Sequence, residues 1–515
     1  MKAEFSPVSR VVLIPALIAA SMSWPMTDAA AGNRRPPGPR DVDPPYQTQP
    51  GTQELPLRYN APAGADAAAR FAYWSNLLWS VNAVDHTAPL PGAADIDAEQ
   101  LGPTRSSRAF AIVHLSIFEA VNAICRRYPG YSGTLPAFAD SSKDAAIAQA
   151  AHDAMVALYP RQAPRLDAWL AADLARLPAG RSRLNGIDIG RRAAAAILAT
   201  RAGDGLYEAE PVVGVDYAVG TAPGRWRPDP VSRIPIALGA WWNRIRPFVL
   251  SSVTPLRAPP PPPLSSEAYA SAFNEVKQLG GDGVHTPTAR TLDQTRIGIY
   301  WSYDGTAWIG TPPRLYSQIA LQLALKKGRD PLELARALAL VNVAIADAAI
   351  AVWDTKYVYD FWRPVTAVRE ASPGSGPTGQ GDGNRATLGD PNWTPLGAPA
   401  SNLIGPNFTP PFPAYTSGHA GLGGATFQVL RRLYGDKLAF TFVSDELNGI
   451  TRDNHGHVRP LAPRSYTSLS QAEEENGQSR IYLGVHWRFD KTGGIATGRL
   501  VGNYVVDHGL VKPSN

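Results

Sequence analysis

Alanine-rich stretches with apolar residues at intervals of three and four constrain this chain more than any other feature. One face of the helix predicted at "SRAFAIVHLSIFEAVNAI" is lined at this spacing by Phe110, Val113, Ile117, Val121 and Ile124. Similar patterns recur at "AAARFAYWSNLLWSVNAV", "DAAIAQAAHDAMVALY", "RLDAWLAADLARL", "GRRAAAAILATR" and "PPRLYSQIALQLALKKG". The 48 Pro and 46 Gly indicate long ordered loops between the helices. The sequence therefore predicts an all-α fold of two helical bundles side by side.

The boundary between the bundles is predicted at five consecutive prolines, residues 259–263, which form a stiff extended connector. An N-terminal bundle over 66–258 and a C-terminal bundle over 264–515 follow from this division. Residues 32–65 are rich in Pro, Gly and polar residues, which is typical of an extended arm over the surface.

The first 31 residues are predicted to be a signal peptide. Lys2 and Arg10 precede the apolar run "VVLIPALIAASMSW", and small residues follow it. A non-cleaved membrane anchor is the alternative, although the run is short for a spanning helix. Farther along, "ALALVNVAIADAAIAVW" contains Asn342 and Asp347 and is more typical of a buried helix, so no membrane span is predicted in the mature chain. We expect a secreted or periplasmic protein.

Charge and cysteine content narrow the classes of partner. The net charge of +5 is spread along the chain without a block of Lys or Arg, so no nucleic-acid partner is expected. Cys125 is the only cysteine, which excludes an intrachain disulfide. The pattern predicts no oligomeric state.

The first candidate site segment is "WDTKYVYDFWRPV". Asp330 and Pro331 predict the start of a helix that runs to about Lys356. Arg363 follows seven residues later, near the same helix face, and Pro364 favours an extended conformation at Arg363. Two ordinary solvated cations are the alternative.

The second segment, "PAYTSGH", precedes a predicted helix that Gly435 closes. Ser417 is suited to cap this helix, and Gly418 allows a ligand to approach the backbone amides at the positive helix end. His419 stands beside them. This arrangement suits an oxyanion, with plain helix capping as the alternative.

The third segment is "SRIYLGVHWRFD". Asp490 follows His486 by four residues, so on a helix its carboxylate would hold one imidazole nitrogen and leave the other free as a nucleophile or ligand. A structural His–Asp pair is the alternative. Arg480 would be the third cation, and three cations in a largely apolar bundle repel one another unless an anion neutralises them.

The three segments together resemble the motifs of a known family. The order Lys, six residues, Arg-Pro, then Pro-x-Tyr-x-Ser-Gly-His, then Ser-Arg-x-x-x-Gly-x-His-x-x-x-Asp is similar to that of vanadium-dependent haloperoxidases and the related PAP2 acid phosphatases. The motifs span residues 356–490, and the helical pattern is compatible with the family over roughly 66–510.

The resemblance implies a vanadate cofactor bonded to His486, with His419 as acid/base and Lys356 as a further catalytic residue. The equatorial oxygens would be neutralised by Lys356, Arg363, Ser417, Gly418 and Arg480. In the phosphatase relatives phosphate occupies the same site, and the position of His486 is the nucleophile. Hydrogen peroxide, a halide and a small organic substrate would be the partners of a haloperoxidase.

Further positions of the resemblance favour the haloperoxidase. Trp353 and Phe412 resemble aromatic positions beside the halide site of chloroperoxidase-like members. The stretch "YWSYDG" is similar to one whose aspartate, here Asp304, pairs with an active-site arginine. Asp490 would orient His486. A PAP2-type acid phosphatase and a non-enzymatic oxyanion-binding protein stay open as alternatives.

Overall fold

The computed structural model describes residues 57–87, 98–207, 209–306, 308–398, 408–452 and 457–511. The predicted signal peptide lies outside the described residues, as does most of the predicted arm. Of the arm's last residues, Leu57 and Arg58 are buried, and Arg58 pairs with Asp445 at 3.0 Å.

Helices dominate the part of the chain before the prolines. The first five are α1 (Ala67–Asp85), α2 (Gly102–Cys125), α3 (Lys143–Leu158), α4 (Ala163–Leu174) and α5 (Arg181–Arg201). Single-turn 3-10 helices occur at Pro160–Gln162, Trp242–Arg244 and Thr254–Leu256. Residues 259–263 form neither helix nor strand.

The part after the prolines is also helical. Its helices are α6 (Glu267–Leu279), α7 (Leu292–Tyr300), α8 (Pro312–Lys327), α9 (Pro331–Tyr359), α10 (Pro364–Glu370), α11 (Gly418–Tyr434), α12 (Leu469–Tyr482) and α13 (Arg488–His508). Strands β1 (Phe440–Phe442) and β2 (Arg464–Tyr466) pair antiparallel, with Phe440 opposite Tyr466, and Asp445–Leu447 is a 3-10 turn. The mostly helical fold confirms the predicted fold class.

Helix α9 is the central element of the packing. It contacts α1 and α2 from the first half and α8, α11 and α13 from the second. Helices α2 and α9 are long and apolar enough to cross a membrane, but 94% of each apolar window is buried inside the protein. Burial of this kind is typical of core helices.

The helix starts that carry the site follow from capping residues. The Asp330 side chain accepts from the Leu332 amide at the start of α9. Ser417 caps α11, its hydroxyl accepting from the Ala420 amide at 3.3 Å, and Gly435 ends that helix at φ +82°. The sequence predicted these caps, because each residue type satisfies backbone groups left free at a helix end.

Helices α11 and α13 pack closely through glycines. A Cβ on Gly498 would lie 2.1 Å from the Gly421 carbonyl oxygen, and one on Gly424 would lie 2.9 Å from that of Ile495. Only residues without side chains permit this approach. The seam matters for the site, because α11 begins next to His419 and α13 begins just after His486.

Candidate active site

The three predicted cations are all buried, and each lies at a helix end. Lys356 is in the last turn of α9, Arg363 is the N-cap of α10, and Arg480 is in the last turn of α12. Each side chain is at most 1% exposed. The solvated-cation alternative is therefore wrong.

Lys356 and Arg363 do not share one helix. Helix α9 ends at Tyr359, and Asp360 has a left-handed φ of +51°. The chain then turns, and Arg363 is extended at φ −80° and ψ 154°, as its following proline predicts. The expectation of one shared helix face is corrected, because the helix ends before Arg363.

Backbone carbonyls hold two of these cations. The Lys356 ammonium donates to the carbonyls of Pro413 and Ala414, each at 2.9 Å. The Arg363 guanidinium donates through Nε to Phe412 at 2.9 Å and through Nη1 to Val485 at 2.8 Å. Carbonyl dipoles orient a cation without cancelling its charge.

Burial and mutual repulsion act on the acidity of these groups. Burial, followed by the charge of Arg363, lowers the pKa of Lys356 well below its usual value. Burial likewise lowers the pKa of Arg363 to about 9. An anion among these groups would favour their charged forms.

Several guanidinium nitrogens at this site have no hydrogen-bond partner among the residues that the structure describes. They are Nη2 of Arg363 and Nε and Nη1 of Arg480, all buried. Buried charged donors are costly when unpartnered, so these atoms mark the space where an acceptor with several oxygens fits.

Asp304 holds the remaining nitrogen of Arg480. Its two carboxylate oxygens accept from Nη2 at 2.8 and 2.9 Å. The aspartate lies on the loop that follows α7, so the predicted pairing with an arginine is present.

His486 and Asp490 also form the predicted pair. His486 Nδ1 donates to Asp490 Oδ2 at 2.7 Å, and Arg363 Nη1 lies 3.0 Å from His486 Nε2. Since a guanidinium only donates, Nε2 carries a lone pair and the ring is neutral. Burial, then the charges of Arg363 and Lys356, lowers the pKa of His486.

The pair does not lie along a helix as predicted. His486 precedes α13, which begins at Arg488, and Asp490 is in its first turn. There Asp490 Oδ2 also accepts from the Trp487 amide at 3.2 Å. The i to i+4 spacing still brings the groups together because the chain enters the helix between them.

His419 is a neutral ring in this structure. Its Nε2 lies 2.6 Å from the Ser302 carbonyl oxygen, so Nε2 carries the proton. Burial, then the charge of Arg480, lowers the pKa of His419 to about 4. Asp304 Oδ1 is 3.9 Å from the same nitrogen.

The two predicted aromatic residues lie against the cations. The rings of Trp353 and Phe412 are 4.9 Å apart, and Lys356 Nζ lies 5.6 Å from the first and 5.0 Å from the second. The Arg363 guanidinium carbon is 4.8 Å from the Phe412 ring. Gly418 packs against the Trp353 ring, because a Cβ at Gly418 would lie 3.3 Å from it.

This geometry agrees with the comparison to known families. Residues 336–511 match the family model described as the VCPO second helical-bundle domain. Every predicted site residue except Asp304 falls within the matched residues 336–511.

A sequence relative and solved structures are also similar to this chain. The vanadium chloroperoxidase of Curvularia inaequalis is 40% identical over 45% of this chain and 42% of its own length. This chain thus aligns with less than half of that relative. A bacterial vanadium-dependent iodoperoxidase structure matches with a TM-score of 0.67 at 24% identity, covering 87% of this chain and 98% of its own. A holo-type bacterial vanadium-dependent chloroperoxidase matches at 0.59 and 17%, covering 84% and 96%. These structural matches show a shared fold.

Sequence reasoning missed several groups that position the candidate site residues. The His419 carbonyl accepts from the Tyr316 hydroxyl at 3.0 Å and from the Asn476 amide at 2.9 Å. The Trp353 indole donates to the Leu238 carbonyl at 3.0 Å. Backbone carbonyls carry no sequence signal, and buried Tyr and Asn are not distinguished from core residues by spacing.

Proposed function

We propose that this chain is a vanadium-dependent haloperoxidase, which oxidises halide with hydrogen peroxide to hypohalous acid. The observation that carries the proposal is the set of buried guanidinium nitrogens on Arg363 and Arg480 that lack a partner within the described part of the chain. Arg363 also lies 3.0 Å from the His486 Nε2 lone pair. The similarity to a vanadium chloroperoxidase supports the reaction class.

The residues present fit vanadate as a cofactor. Its negative oxygens suit the planar guanidinium donors and the Lys356 ammonium. His486 Nε2 would bond the vanadium, while Lys356, Arg363, Ser417, Gly418 and Arg480 would hold its oxygens. Bound vanadate would supply a Lewis-acid centre that activates hydrogen peroxide toward halide without a change in its oxidation state.

The chain's own residues set the conditions for this chemistry. Asp490 fixes the His486 tautomer, so that Nε2 is unprotonated and keeps its lone pair. Lys356 and the two arginines provide fixed positive charge in a buried site, where such charge acts strongly. His419 is neutral above about pH 4 and is therefore able to accept a proton.

The halide pocket is proposed at Trp353 and Phe412. Both rings lie within 6 Å of the Lys356 ammonium, so an anion there would meet an apolar wall beside a positive charge. A small organic substrate would then be halogenated by the released hypohalous acid.

The test measures peroxide-dependent bromination of a phenolic dye by the full chain, with and without added vanadate. We expect activity only with vanadate, and loss of turnover in His419→Ala with vanadate binding retained. Full turnover in that variant would overturn the role of His419. Wild-type chain that binds vanadate without any halogenation would overturn the enzyme assignment in favour of an oxyanion-binding protein.

A second assay separates the acid phosphatase alternative, in which phosphate occupies the same pocket and His486 is the nucleophile. After vanadate removal, the same preparation is given p-nitrophenyl phosphate. Rapid ester hydrolysis together with no bromination would reverse the proposal.

We also propose that the chain is exported to a secreted or periplasmic location. The basic and apolar pattern of residues 1–31 supports this. N-terminal sequencing of the protein recovered outside the cytoplasm would give a start near residue 31, whereas an intact Met1 would contradict cleavage.

A further inference from the structure

The loop after α7, residues 302–306, carries two of the groups that hold the candidate site. The Ser302 carbonyl accepts from His419 at 2.6 Å, and the Asp304 carboxylate accepts from Arg480 at 2.8 and 2.9 Å. Any displacement of this loop would move the partners of both side chains. The groups that fix the loop therefore bear on the site.

The loop is not regular structure. Tyr303 has a left-handed φ of +45°, which is uncommon for a residue with a side chain, and Gly305 has φ +71°. Tyr303 is fully buried. A conformation of this kind persists when its surroundings determine it.

Glu446 holds the loop in this conformation through hydrogen bonds. It lies in the 3-10 turn Asp445–Leu447 and is 0% exposed. Its Oε1 accepts from the Tyr303 backbone amide at 3.1 Å and from the Thr306 hydroxyl at 2.9 Å, bridging both sides of Asp304. Arg459 Nε lies 3.8 Å from the other carboxylate oxygen.

Neighbouring groups fasten the same turn to the loop. The Tyr303 hydroxyl accepts from the Asp445 amide at 2.7 Å, and the Ser444 hydroxyl donates to the Tyr300 carbonyl at 2.6 Å. The turn is thus attached to the end of α7 at Tyr300 and to the loop at Tyr303, on the two sides of Ser302. Glu446 is the member whose side chain spans Asp304.

We propose that Glu446 is a positioning residue, which holds loop 302–306 so that Asp304 and Ser302 fix Arg480 and His419. Its bonds to Tyr303 and Thr306 are the contacts through which it acts on Arg480 and His419. The inference rests on the proposed function, because it takes vanadate as the anion that binds at Arg480 and His419. Groups of this kind, one step removed from the ligands, typically change metal affinity when lost.

The experiment measures by calorimetry the dissociation constant of vanadate from the full chain, after any bound vanadate has been removed. Glu446→Ala removes both acceptor bonds, and we expect binding to weaken about tenfold. Glu446→Gln keeps Oε1 as an acceptor and should stay within about twofold of wild type. Thr306→Val removes one of the two bonds and should weaken binding by about threefold, which gives a readout if the alanine variant does not fold.

The matched control is Asp173→Asn. Asp173 is also a buried carboxylate, accepting from Arg70 and Trp74 of α1, and none of these partners holds a site residue. Its loss should lower the melting temperature and leave the vanadate dissociation constant within about twofold of wild type.

Hydrogen–deuterium exchange of the peptide containing residues 302–306 gives a readout independent of the anion. We expect faster exchange there in Glu446→Ala and unchanged exchange in Asp173→Asn. Unchanged exchange and unchanged vanadate affinity in Glu446→Ala and Thr306→Val would overturn the inference. A wild-type chain that binds no vanadate would overturn the proposed function instead, and the exchange of the loop would still decide the role of Glu446.

Discussion

Substitution of Gly498 by alanine tests the seam between α11 and α13. The added Cβ would lie 2.1 Å from the Gly421 carbonyl oxygen and 2.7 Å from the Ala425 amide nitrogen, whereas ordinary contact begins near 3.4 Å. The helices would have to separate by up to 1.3 Å (3.4 − 2.1) at this point. Both obstructing atoms are backbone, so no side-chain rotation relieves the contact.

Two effects of opposite sign decide how Gly498→Ala changes the free energy of unfolding. Alanine is favoured over glycine in a helix interior by about 1 kcal/mol. Overpacking of a close contact costs about 1–3 kcal/mol, and the upper end applies where backbone must move. The net expectation is a loss of about 2 kcal/mol, which lowers the melting temperature by about 4 °C for a cooperative unit of roughly 200 residues.

The same separation reaches the candidate site. The first turn of α11 carries His419, and His486 directly precedes α13, so a wider seam would move the two histidines apart. Vanadate affinity should fall together with the melting temperature. Ala496→Ser, on the exposed side of α13, is the control and should change neither quantity appreciably.

Circular dichroism gives the melting temperature, and calorimetry gives the vanadate affinity. A melting temperature above that of wild type would mean that helix propensity outweighs the steric contact. That result would refute the account of the seam.

Two further predictions concern buried polar side chains. Asp347 accepts from the Phe248, Val249 and Leu250 amides at 2.6–3.0 Å, so Asp347→Asn should cost about 1–3 kcal/mol in thermal unfolding; an unchanged melting temperature would contradict this. Burial lowers the pKa of His114 from 6.5 to about 4. Between these values the folded state binds fewer protons than the unfolded state. The free energy of unfolding therefore falls on acidification from pH 6.5 to 4, by up to about 3 kcal/mol. His114→Gln should flatten the pH dependence of unfolding between pH 6.5 and 4, whereas parallel curves for variant and wild type would refute the assignment.

Helices with a strong local signal were predictable from sequence. The caps Asp330 and Ser417 and the terminating Gly435 coincide with the ends of α9 and α11, because their side chains or backbone freedom satisfy local groups. Helix α13 lacks such a signal. Its Gly494, Gly498 and Gly502 lower helix propensity, and packing against α11 overrides that preference.

Which residues form the candidate site was predictable from sequence, but the contacts that orient them were not. The motifs identified Lys356, Arg363 and Arg480 because charged residues in apolar surroundings stand out in a sequence. The carbonyls that orient Lys356 and Arg363 do not stand out in a sequence, since every residue has one. These carbonyls belong to Phe412, Pro413, Ala414 and Val485. The turn between Lys356 and Arg363 likewise depends on tertiary packing.

The proline-rich loop before α11 explains how the site keeps its positive charge. Residues 410–413 include three prolines, which have no backbone N–H, so their carbonyls lie in a stretch with few competing donors. Pro413 and its neighbours point carbonyls at Lys356 and Arg363, where carboxylates would have neutralised both cations. Asp304 pairs with Arg480, and Asp490 is engaged by His486 and Trp487. Lys356 and Arg363 are thus held by carbonyl oxygens and not by carboxylates, so an anion bound beside them would favour their charged forms.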